Sequence, residues 1–159
     1  MSSMDCTLVV ERLADKTGIL FRGASGFDLS QAEELGFPES VLEFYREFNP
    51  ESCVESQVRL WPLADALIEC TEGVPGIYLT HRGYLAFAST MTGDAYCFDR
   101  SRRDLDGNPS VVIFSHEIDF ELMPDERVRR HAKRVASNLQ DFLEQMNRES
   151  VDETCFDHG

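Results

Sequence analysis

Cys97 and His116 are the two side chains whose chemistry could support covalent catalysis. A base that removes the thiol proton generates the nucleophilic thiolate, so a cysteine and a histidine together are candidates for a hydrolase. Cys97, however, lies inside the apolar segment AYCFD at residues 95–99. A cysteine in such a segment is usually buried and inert. We therefore favour a structural role for Cys97 and keep a Cys/His-dependent hydrolase as an alternative.

Metal and phosphate chemistry are not indicated by the other polar residues. The candidate metal ligands show no H-x-x-x-H or C-x-x-C spacing. They are His116, Glu117, His131 and His158. Residues 92–94 (TGD) contain one glycine and follow no helix-opening pattern, so they predict a hairpin turn rather than a phosphate-binding loop. We expect no catalytic residue, no metal and no cofactor.

The net charge of −14 is the strongest compositional signal. Residues 1–99 carry 16 acidic and 6 basic residues, whereas residues 100–135 carry 7 and 8. A field of this sign repels nucleic acid and anionic membranes, and it speeds the encounter with a basic protein partner. Solubility alone is an equally good explanation, because acidic soluble proteins are common.

One basic run, at residues 127–134, interrupts the acidic field. Nucleic-acid binding is one interpretation, but no aromatic residue is interleaved with these bases for stacking. We favour an exposed helix face whose bases pair with Asp125, Glu126 or the acidic body of the protein. The run consists of Arg127, Arg129, Arg130, Lys133 and Arg134.

The sequence shows no membrane or secretion signal. No segment has the roughly 18 to 20 apolar residues of a membrane span, and the N-terminus lacks the basic and apolar regions of a signal peptide. The five cysteines fit neither a disulfide framework nor a zinc ribbon. We predict a cytoplasmic protein with reduced thiols and one domain over residues 1–159. Residues 147–159 form an acidic tail, and we expect residues 151–159 to be frayed.

Two helices are predicted before residue 37. Residues 5–16 predict a helix with Asp5 as its N-cap, and its inward positions are Leu8, Val9 and Leu13. A second helix begins after Ser25, whose hydroxyl and Asp28 resemble a capping box, and Gly36 ends it. Glu33 and Glu34 lie near the end of this helix, where carboxylates are unfavourable against the helix dipole.

The third predicted helix, at residues 38–48, has the clearest amphipathic pattern. Pro38 suits its first position, and Pro50 ends it by moving Asn49 out of helical geometry. Its apolar stripe, spaced i, i+3, i+4 and i+7, consists of Val41, Phe44, Tyr45 and Phe48. Such a stripe requires a sheet to cover.

The second half of the chain predicts a sheet followed by a helix. Strands are predicted at residues 58–60, 77–80, 84–89, 95–99 and 111–115, with helical spacing at 64–72, 124–135 and 137–147. Ser137 and Gln140 stand in capping-box register at the start of the last helix. Short spacers exclude crossover helices, so the strands predict an antiparallel meander of about 4 to 6 strands. The fold class is α+β: one domain, with helices packed on one side of a mostly antiparallel sheet.

The assembled pattern over residues 25–146 resembles the SUKH superfamily, which includes the yeast cell-wall synthesis regulator and many bacterial toxin-immunity proteins. The segments that carry this resemblance are SQAEELGFPESVLEFYREFN, VRLWPL, LAFASTMTGDAYCFD, SVVIFSHE and VASNLQDFLEQM. The matching motif residues are Glu33, Leu35, Gly36, Pro38, Phe44, Tyr45, Asn49, Gly93, Asp94, Tyr96 and Asp99. Where the family commonly has a glycine after the asparagine, this chain has Pro50.

The resemblance implies a binding protein without catalysis, and in the bacterial branch an immunity protein that neutralises a toxin, often a nuclease. A nuclease needs positive charge to hold nucleic acid, so an acidic inhibitor can mimic that ligand. We expect an acidic face with an aromatic anchor to block a basic toxin. The candidate contacts are Trp61, Tyr84, Asp94, Asp99, Asp104, Asp106 and Glu117. A scaffold or regulatory protein of the same fold is the alternative, and the oligomeric state is not predicted.

Overall fold

A six-stranded antiparallel sheet organises the structure, a computed structural model that describes residues 4–155. In chain order the strands are β1 (Phe21–Arg22), β2 (Asn49–Pro50), β3 (Val54–Glu55), β4 (Arg59–Leu60), β5 (Tyr84–Ser89), β6 (Ala95–Arg103), β7 (Pro109–Phe114) and β8 (Lys133–Ala136). Strands β3 to β8 lie side by side in that order, each antiparallel to the next. β1 and β2 form a separate two-stranded ladder.

Seven α-helices pack with this sheet within the described residues. They are α1 (Thr7–Thr17), α2 (Gly26–Leu35), α3 (Glu39–Phe48), α4 (Leu63–Thr71), α5 (Gly76–Leu79), α6 (Asp125–His131) and α7 (Leu139–Asn147). The 3-10 turn Thr80–Arg82 follows α5. The arrangement confirms the predicted α+β class and the antiparallel meander. Over residues 4–155, every helix is too short or too polar to span a membrane.

Aromatic side chains connect α7 to the centre of the sheet. The ring of Phe142 packs edge-on against Phe87 and Tyr96, with centroid distances of 5.2 and 4.9 Å. Phe87 in turn stacks on Phe98 at 4.0 Å. All four side chains are fully buried, and each large apolar side chain buried in this way contributes about 1.5–3 kcal/mol.

The turn between α2 and α3 confirms the predicted helix boundaries. Ser25 Oγ accepts a hydrogen bond from the Asp28 amide and caps α2, and Gly36 ends that helix with a φ of 97°. Pro38 occupies the N-cap of α3 rather than the predicted first helical position, because its ψ of 152° is extended. α3 buries Val41, Leu42, Phe44 and Tyr45, and Phe48 is half-buried.

Residues 77–80, predicted as a strand, instead form α5 and the start of the 3-10 turn. The Thr80 hydroxyl donates to the carbonyl oxygens of Cys70 and Gly76, at 2.7 and 3.0 Å. Leu79 is fully buried. The bond to Cys70 at the end of α4, the bond within α5 and the burial of Leu79 outweigh the strand preference of the β-branched and aromatic residues in the segment.

α1 differs from its prediction in which residues face inward. Leu8, expected to be buried, is 57% exposed, whereas Val9, Val10 and Leu13 are buried. The N-cap is Cys6 and makes no side-chain capping bond. The Asp5 carboxylate still accepts a hydrogen bond from the Thr7 amide, at 3.1 Å. The buried stripe is therefore shifted by one position from the predicted one.

The segment before α7 contains a strand, although its apolar spacing predicted a helix. Residues 124–135 divide into α6 and β8, and Val135 lies in β8 rather than on a helix face. β8 pairs with β7 and so satisfies backbone groups that an open edge would leave unpaired. α7 starts later than predicted, because Asn138 rather than Ser137 caps it by accepting the Asp141 amide at 2.8 Å.

Residues 151–155 are held against the body of the protein, so the predicted fraying is wrong for this part of the tail. The Tyr96 hydroxyl donates to the carbonyl oxygen of Asp152 at 2.9 Å. The Gln57 side chain exchanges two hydrogen bonds with the backbone of Val151, each 2.9 Å long. The last four residues of the predicted frayed segment lie outside the described residues.

Candidate interaction surface

α2 and α4 lie side by side and leave a groove between them. Asp28, Gln31 and Leu35 have i, i+3 and i+7 spacing, so they share one stripe of α2. The facing stripe of α4 follows the same period. It consists of Ala64, Leu67, Ile68, Thr71 and Glu72. We call this surface the α2–α4 groove.

The α2–α4 groove combines apolar side chains with unpaired carboxylates. Leu35 and Ile68 contribute apolar surface, and Ile68 is 54% exposed. The acids that line the groove are Asp28, Glu34 and Glu72. No basic residue lines the groove, and these carboxylates form no ion pair within residues 4–155. Its chemistry therefore fits a partner surface with both basic and apolar side chains.

Trp61 extends this acidic surface beyond the groove. It is half-buried and lines a second depression that shares Ile68 with the groove. Arg59 also lines the depression, but its charge is offset by Glu55 at 3.3 Å. The acidic residues of the depression are Glu55, Asp65 and Glu69. The predicted aromatic anchor thus lies among acids other than those predicted.

Tyr84 and Asp99 were predicted as partner contacts, but both side chains are buried. Tyr84 is 4% exposed, and its ring packs edge-on against Phe114 at 4.8 Å. Asp99 is 1% exposed, and its Oδ1 accepts hydrogen bonds from the amide and hydroxyl of Ser101. β6 is buried on both faces from Ala95 to Asp99 and becomes exposed only at Arg100, so Asp99 is the last residue of its buried part.

The other predicted acids fall at opposite ends of β6. Asp104 and Asp106 follow the strand, whereas Asp94 precedes it beside Glu117, which follows β7. Asp106 and Glu117 are exposed. Asp104 is mainly structural, because it accepts bonds from the Asn108 amide and from Asn138, the cap of α7. The acids predicted as contacts therefore do not form one continuous face.

A cluster of charged and polar groups holds the tail next to Asp94. Asp94 Oδ1 accepts from the amide and from Nδ1 of His116, at 3.0 and 2.6 Å. Lys133 Nζ donates to Asp152 Oδ2 at 2.9 Å, and burial beside Asp94 raises the pKa of Cys155 to about 12. We call these five residues the tail cluster. Its acids are already paired, unlike those of the groove.

Hydrogen bonds set the pKa of Asp94. Burial alone would raise the pKa of this carboxyl, but the hydrogen bonds from His116 and Cys155 outweigh burial and lower it. The same balance lowers the pKa of Asp152, where the bonds come from Thr154 and Lys133. Both carboxyls are therefore held in their ionised form by contacts within the protein.

The thiols are poor nucleophiles in this structure. Cys97 is fully buried, and burial raises its pKa well above the usual value. Burial also raises the pKa of Cys70 to about 11 and that of Cys6 to about 12. His116 is bonded to Asp94 instead of a thiol. Within residues 4–155 no three His, Cys, Asp or Glu residues gather as a metal site would require, and His158 lies outside those residues.

The basic run does not pair as expected. Asp125 pairs with Arg82, at 3.0 Å, rather than with a base of the run. Arg127, Arg129 and Arg130 have no ion-pair partner within the described residues. The only pair formed by the run there is between Lys133 and Asp152. The predicted pairing of the run with Asp125, Glu126 or the acidic body is therefore observed for Lys133 but not for the arginines of α6.

Asn49 illustrates how the motif residues act in the fold. It ends α3, pairs with Arg22 in the β1–β2 ladder, and its Oδ1 accepts the Leu63 amide at 2.8 Å. The N-cap of α4 is Pro62, which has no capping side chain, so Asn49 supplies the missing acceptor. Gly93, at a φ of 105°, forms the β5–β6 turn as predicted.

The groove was missed by sequence reasoning, and only one weak signal, on α2, pointed to it. Glu34 stands at the unfavourable end of a helix dipole, which suggests a role other than helix stability. Nothing local indicates that α2 and α4 are neighbours, because that contact depends on the tertiary fold.

Comparison with known proteins matches one family. The sequence model of the SMI1 / KNR4 family (SUKH-1) matches residues 28–145, well over half of the chain. No curated protein matches the sequence. The matched range contains most of α2, the groove, the whole six-stranded sheet and most of α7.

Proposed function

Because the chain belongs to the SMI1 / KNR4 family (SUKH-1), we propose that it is a non-catalytic immunity protein that binds and neutralises a basic toxin domain of the nuclease type. Membership of the family is consistent with an immunity or a regulatory protein. The observation that favours a basic partner is the α2–α4 groove, whose lining has carboxylates, apolar side chains and no basic residue.

The groove offers both components that a protein interface needs. Exposed Ile68 in the groove and half-buried Trp61 in the adjoining depression provide apolar contact area, and binding energy usually concentrates in such anchors. Asp28, Glu34 and Glu72 have no ion-pair partner among residues 4–155 to lose when a toxin binds. A lysine or arginine of the toxin would therefore replace water rather than an existing ion pair.

The net charge of −14 supports rapid association with a nucleic-acid-binding enzyme. Such an enzyme carries positive charge to hold phosphates, and an acidic surface can occupy the same place. Electrostatic steering raises association rates at low salt. Among the acids predicted from sequence, Asp106 and Glu117 are exposed and remain proposed secondary contacts.

The proposal is tested by measuring binding to the toxin encoded beside this gene. We expect the affinity to fall about tenfold or more between about 0.15 and 0.5 M salt, because exposed charges are screened. The double variant Glu34→Lys/Glu72→Lys should weaken binding at least about 100-fold, since each change replaces attraction with repulsion. Trp61→Ala should cost about tenfold or more if the ring is an anchor.

The matched control is Glu11→Lys/Asp15→Lys. It makes the same change in net charge on exposed positions of α1, away from the groove. If this control weakened binding as much as the groove variant, the net charge alone would explain the interaction. Failure to bind the toxin at either salt concentration would overturn the immunity proposal, and capture of a protein of the host cell would favour the regulatory alternative.

A further inference from the structure

A pocket between the end of β6 and α6 is lined mainly by arginine. Its lining residues are Arg102, Glu126, Arg129 and Arg130. The pairing of β6 with β5 ends at Asp99, so Arg102 stands beyond that ladder and meets the arginines of α6. We call this site the arginine pocket.

Two arginines of the pocket are available to an external anion. Arg129 and Arg130 are exposed and have no ion-pair partner within residues 4–155. The nearby Asp125 is engaged by Arg82 instead. Each guanidinium carries five N–H donors in a planar fork. Glu126 also lines the pocket, but it forms no ion pair with either arginine within residues 4–155.

Buried polar groups behind the pocket hold its third arginine. Asp99 Oδ2 is buried, makes no hydrogen bond to any residue from 4 to 155, and lies 3.5 Å from Arg102 Nε. Burial and Asp99 raise the pKa of Tyr84, whereas Arg102 and Arg129 lower it, so both guanidinium groups are near the phenol. Tyr84 and Asp99, which are too buried to be surface contacts, thus form a fixed support beneath the arginine pocket.

We propose that the arginine pocket binds a phosphate monoester group. Three guanidinium groups from two elements can each approach a different terminal oxygen of a phosphate. A carboxylate has only two oxygens, and one arginine satisfies both in a bidentate pair. Clustered arginines are the usual means by which proteins recognise phosphorylated groups.

A single phosphate group suits the pocket better than a nucleic acid. The net charge of −14 repels a long polyanion over most of the surface. Within the pocket no aromatic side chain is available to stack on a base, since its lining consists of three arginines and Glu126. The ligand is therefore a small phosphomonoester or a phosphorylated side chain, which share the same terminal group.

The test is a titration of isotope-labelled protein with inorganic phosphate, followed by NMR at constant ionic strength. Shifts should saturate at Arg102, Arg129 and Arg130, and acetate at the same ionic strength should produce at most about one tenth of the effect. Phosphoserine and a nucleoside monophosphate are then compared with phosphate. The tighter of the two identifies whether the source is a phosphorylated side chain or a small metabolite.

Variants of α6 separate a specific site from general positive charge. Arg129→Ala/Arg130→Ala should weaken phosphate binding about tenfold or more. Arg129→Lys/Arg130→Lys keeps both charges but should still lose most of the wild-type affinity for phosphate, because lysine lacks the planar fork. The matched control is Arg127→Ala, which removes an exposed charge from the same helix without touching the pocket. Its affinity should stay within about twofold of the wild type.

Three results would overturn the phosphate proposal. They are the absence of saturable shifts, equal binding of acetate, and an Arg127→Ala variant as weak as the double variant. All the substituted arginines are exposed, so circular dichroism should show that each variant is folded. Phosphate binding is independent of the groove, so loss of toxin binding in the groove variants leaves this test unaffected.

Discussion

The tail cluster and the α2–α4 groove both place carboxylates at the surface, but they use them differently. In the tail cluster, Asp94 and Asp152 accept hydrogen bonds from His116 and Lys133. In the groove, the carboxylates have no such partner within the described residues. The comparison shows that acidic composition does not identify a binding surface. What matters is which carboxylates the fold has left unpaired.

The difference has a direct energetic consequence. A carboxylate paired inside the protein contributes to stability, and a partner that used it would first have to break that pair. An unpaired carboxylate contributes little to stability but can pair with a partner at small desolvation cost. Substitutions in the tail cluster should therefore lower the free energy of unfolding, whereas substitutions in the groove should lower the affinity for the partner.

The largest effect on stability should follow truncation after Ser150. It removes the buried side chain of Val151, worth about 1.5–3 kcal/mol, and leaves the Tyr96 hydroxyl without its acceptor, which costs about 1–3 kcal/mol. We expect urea denaturation to show a loss of about 3 kcal/mol in the free energy of unfolding. Toxin affinity should stay within about threefold, because the groove is unchanged.

The control for this truncation is a chain that ends at Cys155. It keeps every contact described for the tail, so its stability should lie within about 0.5 kcal/mol of the full chain. If truncation after Ser150 cost less than about 1 kcal/mol, the tail would not be a structural element in solution and the contrast with the groove would fail.

A smaller effect is expected from removing one hydroxyl. Tyr96→Phe removes the hydrogen bond to Asp152 and should cost about 1 kcal/mol. Tyr45→Phe is the matched control, because the Tyr45 hydroxyl is buried and finds no hydrogen-bond partner in the described part of the chain. Its removal should be neutral or stabilising. Thermal unfolding of both variants checks the prediction, and equal losses would contradict the role given to the tail bond.

The parts of the fold that sequence reasoning predicted well are those with local signals. The cap by Ser25, the stop at Gly36 and the apolar strand at Tyr84–Ser89 between two turn segments each depend on nearby residues. The tail could not be predicted in this way. Its bonds join Gln57 to Val151 across 94 positions, and no periodicity records such a contact.

The candidate sites were predicted less well for the same physical reason. Sequence shows where carboxylates are, but burial and pairing decide their use. Asp99 was placed on the surface because of its charge, yet it is 1% exposed beneath Arg102. Arg129 and Arg130 were expected to be neutralised, yet the acid nearby is taken by Arg82. Both outcomes depend on tertiary neighbours.

Acid pH should weaken the tail cluster. Hydrogen bonds lower the pKa of Asp94 despite its burial. A group with a lowered folded-state pKa contributes stability that is fully present above its unfolded pKa and is lost as the pH falls through the folded value. The stability difference between the wild type and Asp94→Asn should thus be full at about pH 7 and shrink below about pH 4. Urea midpoints at both pH values measure it, and a difference independent of pH would contradict it.

The smallest change in stability is expected in the groove. Glu34→Gln/Glu72→Gln removes two exposed charges that pair with nothing in the described residues, so the free energy of unfolding should change by no more than about 0.5 kcal/mol. The same variant should lose about tenfold or more in toxin affinity, whereas Asp94→Asn should lose stability and keep affinity. If Glu34→Gln/Glu72→Gln destabilised the protein as much as Asp94→Asn, the groove acids would be structural. If the groove variant loses only toxin affinity and Asp94→Asn loses only stability, the groove carboxylates serve binding, since they contribute nothing to the stability of the fold.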